Sequence, residues 1–110
     1  MTRDELFAHA LSLPDTVEST LFDARCVRLR GHWMVTESRE PDALAIALDL
    51  DTVAFLKETD PAVYFQTPHY EGWPAVLVRY AVADDARLRE QIDRAWLRRA
   101  SKAQKAARGL

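Results

Sequence analysis

The chain has 110 residues, of which 48% are hydrophobic and 29% charged, so it is long enough for one compact core and too short for two. Its 15 Lys and Arg stand against 17 Asp and Glu, a net charge of −2 that excludes a disordered polyelectrolyte and a strongly basic histone-like protein. No apolar run approaches the roughly 18 residues of a membrane span, and the charged start Met1-Thr2-Arg3-Asp4-Glu5 is followed by no signal-like apolar stretch, so a cytoplasmic location without a membrane partner is expected.

Thr2-Arg3-Asp4-Glu5 fits a helical capping box, and Leu6, Phe7, Ala10 and Leu11 recur at helical spacing, which predicts a helix over 3–13 ended by Pro14. From residue 17 the period changes. Val17 to Phe22 is β-prone, and Arg25 to Arg30 alternates Val27 and Leu29 on one face with Cys26, Arg28 and Arg30 on the other. Gly31 supplies a turn into a strand through Trp33, Met34, Val35 and Thr36, with the corner at either Arg30-Gly31 or Gly31-His32. Glu37 to Asp42 reads as a solvated loop. Ala43 to Leu48 then places Leu44, Ile46 and Leu48 on one face and three alanines on the other, a strand whose alanine side lies under something close or in partial solvent.

Asp49 or Asp51 caps a short helix through Val53, Phe55 and Leu56, which stops before Asp60-Pro61 because a residue preceding proline is pushed out of the helical region. Tyr64 to Pro74 is an aromatic-rich loop, and the apolar run Ala75 to Val82 predicts a central strand. Asp84 or Asp85 caps the longest helix, over 85–101, with Leu88, Ile92, Ala95, Trp96 and Arg99 on one stripe. Helix, strands, short helix, strand and long helix in that order predict an α+β fold with an antiparallel sheet.

No nucleophile stands in a recognisable catalytic context. Cys26, the only cysteine, reads as a structural strand residue despite Arg28 and Arg30 beside it. The carboxylate pairs Asp49/Asp51 and Asp84/Asp85 are explained by capping. The three histidines, His9, His32 and His69, have no zinc-type spacing, and three glycines leave no phosphate-cradling loop, so neither catalytic residue, metal nor cofactor is expected. Trp33 and Trp96 read as structural, one on a strand and one on the helix stripe. The loop Thr67-Pro68-His69-Tyr70-Glu71-Gly72-Trp73-Pro74 has two readings: its rings close the core with His69 bonded to backbone, or His69, Tyr70 and Trp73 stack on a planar ligand. Charge is also uneven. Residues 1–85 carry 7 basic and 15 acidic side chains, whereas residues 86–110 carry 8 basic and 2 acidic. A basic end on an acidic body suits phosphate contact, and it also suits the negative end of a helix dipole.

The run Phe65-Gln66-Thr67-Pro68-His69-Tyr70-Glu71-Gly72-Trp73-Pro74-Ala75-Val76-Leu77-Val78-Arg79 resembles the signature of the MmcQ/YjbR family, a Thr-Pro-His-Tyr, Gly and Pro pattern running into a Val-Leu-Val-Arg strand. Leu11-Ser12-Leu13-Pro14, the Arg30-Gly31 hairpin and Ala95-Trp96-Leu97-Arg98-Arg99-Ala100 resemble the family's other segments. Asp15 and His32 depart from it, standing where glycine and lysine are common. The resemblance implies a domain over 1–101 with a basic C-terminal tail over 102–110, and a frataxin-like, double-wing arrangement of an antiparallel sheet backed by N- and C-terminal helices. It also implies a non-catalytic DNA-binding protein. The residues expected to meet DNA are Arg28, Arg30, His32, Arg79, Arg98, Arg99, Lys102 and Lys105. The alternatives are a small-molecule binder using His69, Tyr70 and Trp73, and a protein-interaction module; a monomer is the expected state. Frataxin-type iron binding does not carry over, since the first helix offers only Asp4 and Glu5 as a carboxylate pair.

Overall fold

Thr2 starts the first helix, α1 (Arg3–Ser12), through the expected reciprocal cap: its hydroxyl accepts from the Glu5 amide while the Glu5 carboxylate accepts from the Thr2 amide. The computed structural model describes all 110 residues. After α1 the chain lays down β1 (Val17–Leu21), β2 (Ala24–Leu29), β3 (His32–Glu37) and β4 (Ala43–Ala47) as an antiparallel meander. Then come α2 (Leu50–Thr59), β5 (Tyr64–Phe65), β6 (Ala75–Arg79), α3 (Asp85–Arg99) and a final short helix, α4 (Lys102–Ala107). The six strands form one sheet in the order β1, β2, β3, β4, β6, β5, with every pair antiparallel, so the predicted α+β class with terminal helices is what the chain adopts.

Two tight hairpins set the register of the meander. Leu29 pairs with His32, which places the corner at Arg30-Gly31, with φ of 53° and 80°. Leu21 pairs with Ala24 across Phe22 and Asp23, with φ of 49° and 66°. Left-handed values at both corner residues match the twist of the flanking strands, which is why such corners dominate two-residue hairpins.

The core lies on one face of the sheet. Leu6 and Phe7 of α1 and Leu88, Ile92 and Trp96 of α3 bury against Val27, Leu29, Val35, Leu44, Ile46, Val76 and Val78, and Val53 and Leu56 of α2 join them. Asp49 caps α2 and Asp84 caps α3, each accepting from a backbone amide of the first turn. The predicted strand over Ala75 to Val82 ends early. Arg79 pairs with Ala43, the first residue of β4, and beyond it the chain has no partner, so residues 80–82 turn toward the α3 cap. Residues 102–110, expected as a tail, carry α4: Ser101 and Gln104 make a second capping box, and Arg108 lies 4.6 Å from the Trp96 ring centroid.

Candidate functional site

The opposite face of the sheet has no helix on it. Ala43 and Ala45 of β4 and Leu77 of β6 form a small apolar floor there, covered only in part by Trp33, Phe65 and Tyr70. The alanines let the covering rings approach the sheet closely, which is what the alternation of residues 43–48 implies. Trp33 owes its place to a bulge. Val27 pairs with Val35 and Arg28 with Trp33, leaving Met34 as an extra residue in β3. Met34 and Val35 therefore both enter the core, although they are consecutive, and Trp33 turns to the open face with Thr36. Period-two alternation alone cannot foresee this, so Trp33, expected to be structural, is a residue of the site.

The segment between β5 and β6 crosses this face rather than closing the core. Its shape is held by Gln66, whose side-chain nitrogen lies 2.7–3.1 Å from the carbonyl oxygens of Tyr70, Trp73 and Ala75 and whose oxygen accepts from Lys57 Nζ at 2.8 Å. Gly72 takes φ of 81°, a left-handed value that glycine adopts without a Cβ penalty. His69 makes no hydrogen bond to backbone, contrary to the core-closing reading; it stacks near-parallel to Trp73, with centroids 6.3 Å apart, and meets Tyr70 edge-on at 4.9 Å. Tyr70 is half-buried and its hydroxyl is pushed above the ordinary range by desolvation, against a smaller opposing effect of Arg39.

Between this segment, the Leu21–Ala24 hairpin and the Ser38–Glu40 turn lies a cleft of about 820 Å³. Trp33, Tyr70, Trp73, His69 and Leu77 give it an apolar, aromatic body, while Thr36, Glu37, Ser38 and Arg39 supply polar groups on one side. Phe22 stands at its rim, 98% exposed and in a left-handed conformation that bulky residues seldom adopt. Residues 37–40 of the region 37–42, predicted only as a solvated loop, thus form one wall of the cleft.

A family model described as YjbR matches residues 11–98. The chain belongs to the YjbR family. An uncharacterized protein of Mycobacterium bovis and uncharacterized proteins of two Mycobacterium tuberculosis strains are each 41% identical to it over 68 residues, 61% of this chain and 53% of the relative. The chain spans about half the length of the curated relatives it matches. The matched range of the YjbR domain takes in every wall of the cleft and ends at Arg98.

Of the cationic residues singled out in this YjbR domain, five gather at one end of the sheet. Arg28, His32, Arg98 and Arg99 line a second, smaller depression of about 280 Å³, and Arg30 donates to the Arg99 carbonyl at 3.1 Å. Arg28 is largely spent on the fold, donating to Ser19 Oγ and to the carbonyls of Gly31 and Thr20. Arg79 lies at the opposite end, where it pairs with Asp42 at 3.3 Å and covers the Phe65 ring at 3.9 Å. Lys102 and Lys105 sit on α4, away from either depression. Cys26 is buried, and Asp4 and Glu5 are engaged by Arg25 and by the α1 cap. No helix is long and apolar enough to cross a membrane.

Proposed function

We propose that this YjbR domain is a cytoplasmic, non-catalytic binding module that takes a planar small molecule into the cleft on its open sheet face. The observation that carries the reading is the cleft itself. A concavity of about 820 Å³ falls within the roughly 300–1,000 Å³ of small-molecule sites, and its predominantly apolar lining with a few polar groups on one side is their usual composition. Aromatic rings that stand partly exposed on a bare sheet face, rather than packed away, favour stacking on a flat partner. A left-handed, fully exposed phenylalanine at the rim adds a second sign, because strained backbone persists where the surroundings hold it for use.

The test is a heteronuclear NMR titration with a panel of planar heteroaromatic compounds, following the three indole N–H signals. Trp96 Nε1 donates to the Pro14 carbonyl at 2.8 Å in the core and serves as an internal control. Saturable shifts at Trp33 and Trp73, absent at Trp96 and weakened by Tyr70→Ala, are expected. Shifts that grow linearly with every compound, or that fall equally on all three indoles, would remove the reading.

DNA binding stands as a second reading, supported by Arg98, Arg99, Lys102 and Lys105, which have no carboxylate within ion-pair distance. The separation of Arg79 from that cluster and its pairing with Asp42 weigh against one continuous phosphate-contacting face.

A further inference from the structure

Trp33 and Trp73 line both depressions, so the aromatic cleft and the small basic hollow adjoin each other on either side of these two residues. The hollow is unusual in its hydrogen bonding. Arg99 Nε is buried with no partner, and the guanidinium of Arg98 makes no hydrogen bond either. A buried guanidinium nitrogen satisfied by nothing in the protein is costly, and the part-buried forks of Arg98 and Arg99 side by side are shaped to accept an anion. His32, exposed at the first position of β3, adds a further donor to the rim.

We infer that the hollow lined by Arg98, Arg99 and His32 is an anion subsite of the same binding site, so that the ligand is a planar aromatic ring carrying a phosphate-sized anionic group. This rests on the ring-binding reading of the cleft and names the class of its ligand. The ring lies against Trp33, Tyr70 and Trp73, and the anion reaches past the two tryptophans to the arginine pair. Arg98 and Arg99 are adjacent in the last turn of α3, and Arg30, by donating to the Arg99 carbonyl, fixes the hairpin against that turn, so the backbone that carries both guanidinium groups is held in place before a ligand arrives. Burial and the neighbouring Arg99 together lower the affinity of Arg98 for its proton, the direction expected of a crowded, partly desolvated cationic site. Asp49 is the one carboxylate that bears on it. It lies beyond ion-pair distance, its carboxyl held below the ordinary range chiefly by Thr52 hydrogen bonds and only slightly by Arg98, so it does not neutralise the pair.

The experiment uses the full chain and two probes that differ by the anion alone, naphthol and naphthyl phosphate, with affinities read from the Trp33 and Trp73 indole signals. Naphthyl phosphate is expected to bind at least about tenfold more tightly. Arg98→Gln and Arg99→Gln should each bring its affinity toward that of naphthol without changing naphthol binding. Inorganic phosphate should compete with the ester and not with naphthol, while Tyr70→Ala should weaken both probes. Should Arg99→Gln fail to fold, Arg98→Gln carries the same readout, because that side chain makes no hydrogen bond in the fold. Equal affinities in the unmodified chain, or a preference for the ester that survives both arginine substitutions, would overturn the subsite and leave the cleft reading in place. Saturable binding of neither probe would overturn both.

Discussion

Phe22 joins sequence, strain and site most directly. A bulky residue in the left-handed region costs roughly 1–2 kcal/mol, and being 98% exposed Phe22 recovers none of this by burial. Phe22→Asn, which tolerates that conformation, should therefore raise stability by about 0.5–1 kcal/mol in denaturant unfolding while weakening ligand binding at the cleft. A stability gain with unchanged binding would show that Phe22 serves only the turn. Tyr64 is a second residue at odds with its surroundings: its hydroxyl is buried without a partner, and desolvation pushes its pKa up to about 12. Removing an unsatisfied buried group relieves its desolvation, so Tyr64→Phe should be neutral or stabilising by up to about 1 kcal/mol. Neither residue announces itself in the sequence. Phe22 is one more β-prone residue there, and Tyr64 is one ring in an aromatic-rich loop; what singles them out is a dihedral angle and a missing partner.

At the scale of elements, what was legible followed from local periodicity and capping chemistry. Thr2, Asp49 and Asp84 start their helices as the sequence implies, and Leu44, Ile46 and Leu48 all face the core. Ile46 is fully buried, so Ile46→Ala should cost about 2–5 kcal/mol, measured by denaturant unfolding. The Asp49 cap has a pH signature. Its carboxyl is lowered from 3.8 by hydrogen bonds to Thr52, so its stabilisation is present above about pH 4 and is lost as pH falls through the lower folded value. Asp49→Asn keeps a capping side chain that does not titrate, and its thermal midpoint should fall less steeply than that of the unmodified chain from about pH 5 to pH 3. The cleft was only half legible. His69, Tyr70 and Trp73 are marked by the density of rings, prolines and glycine around them, but Trp33 depends on a bulge and the loop's shape on Gln66, a single amide reaching three carbonyls. Gln66→Glu keeps the size and removes the donor, leaving those carbonyls facing a carboxylate. It should weaken planar-ligand binding at least about tenfold, with the indole signal of buried Trp96 unchanged; retained affinity would show that the loop holds its shape without Gln66.

Across the whole molecule, the charge division read from the sequence acquires a shape. The acidic body holds half of its arginines in ion pairs, Arg3 with Glu37, Arg25 with Glu18 and Asp4, and Arg79 with Asp42, and Arg87 at the start of α3 pairs with Asp60, so the fields of these four are largely cancelled at short range. Of the cations without such partners, Arg98 and Arg99 lie at the end of α3 and Lys102 and Lys105 on α4, next to each other along the chain. A duplex would be repelled by the body and held, if at all, by Arg98, Arg99, Lys102 and Lys105. About four phosphate contacts give a logarithmic salt slope near −3.6 from the 0.9-per-phosphate rule. Deleting residues 102–110 is a poor test of this, because α4 is part of the fold: Gln104 donates to Asp15 at 3.2 Å, and Arg108 lies over the Trp96 ring. Lys102→Glu with Lys105→Glu leaves those contacts in place and reverses only charges without partners. If DNA is bound through this end, the double substitution should flatten the slope by about 2 units and weaken binding of all sequences alike. An unchanged slope would exclude α4 as the contact. Absence of binding by the unmodified chain at low salt would remove DNA as the partner and leave the arginine pair to the anion of a small ligand.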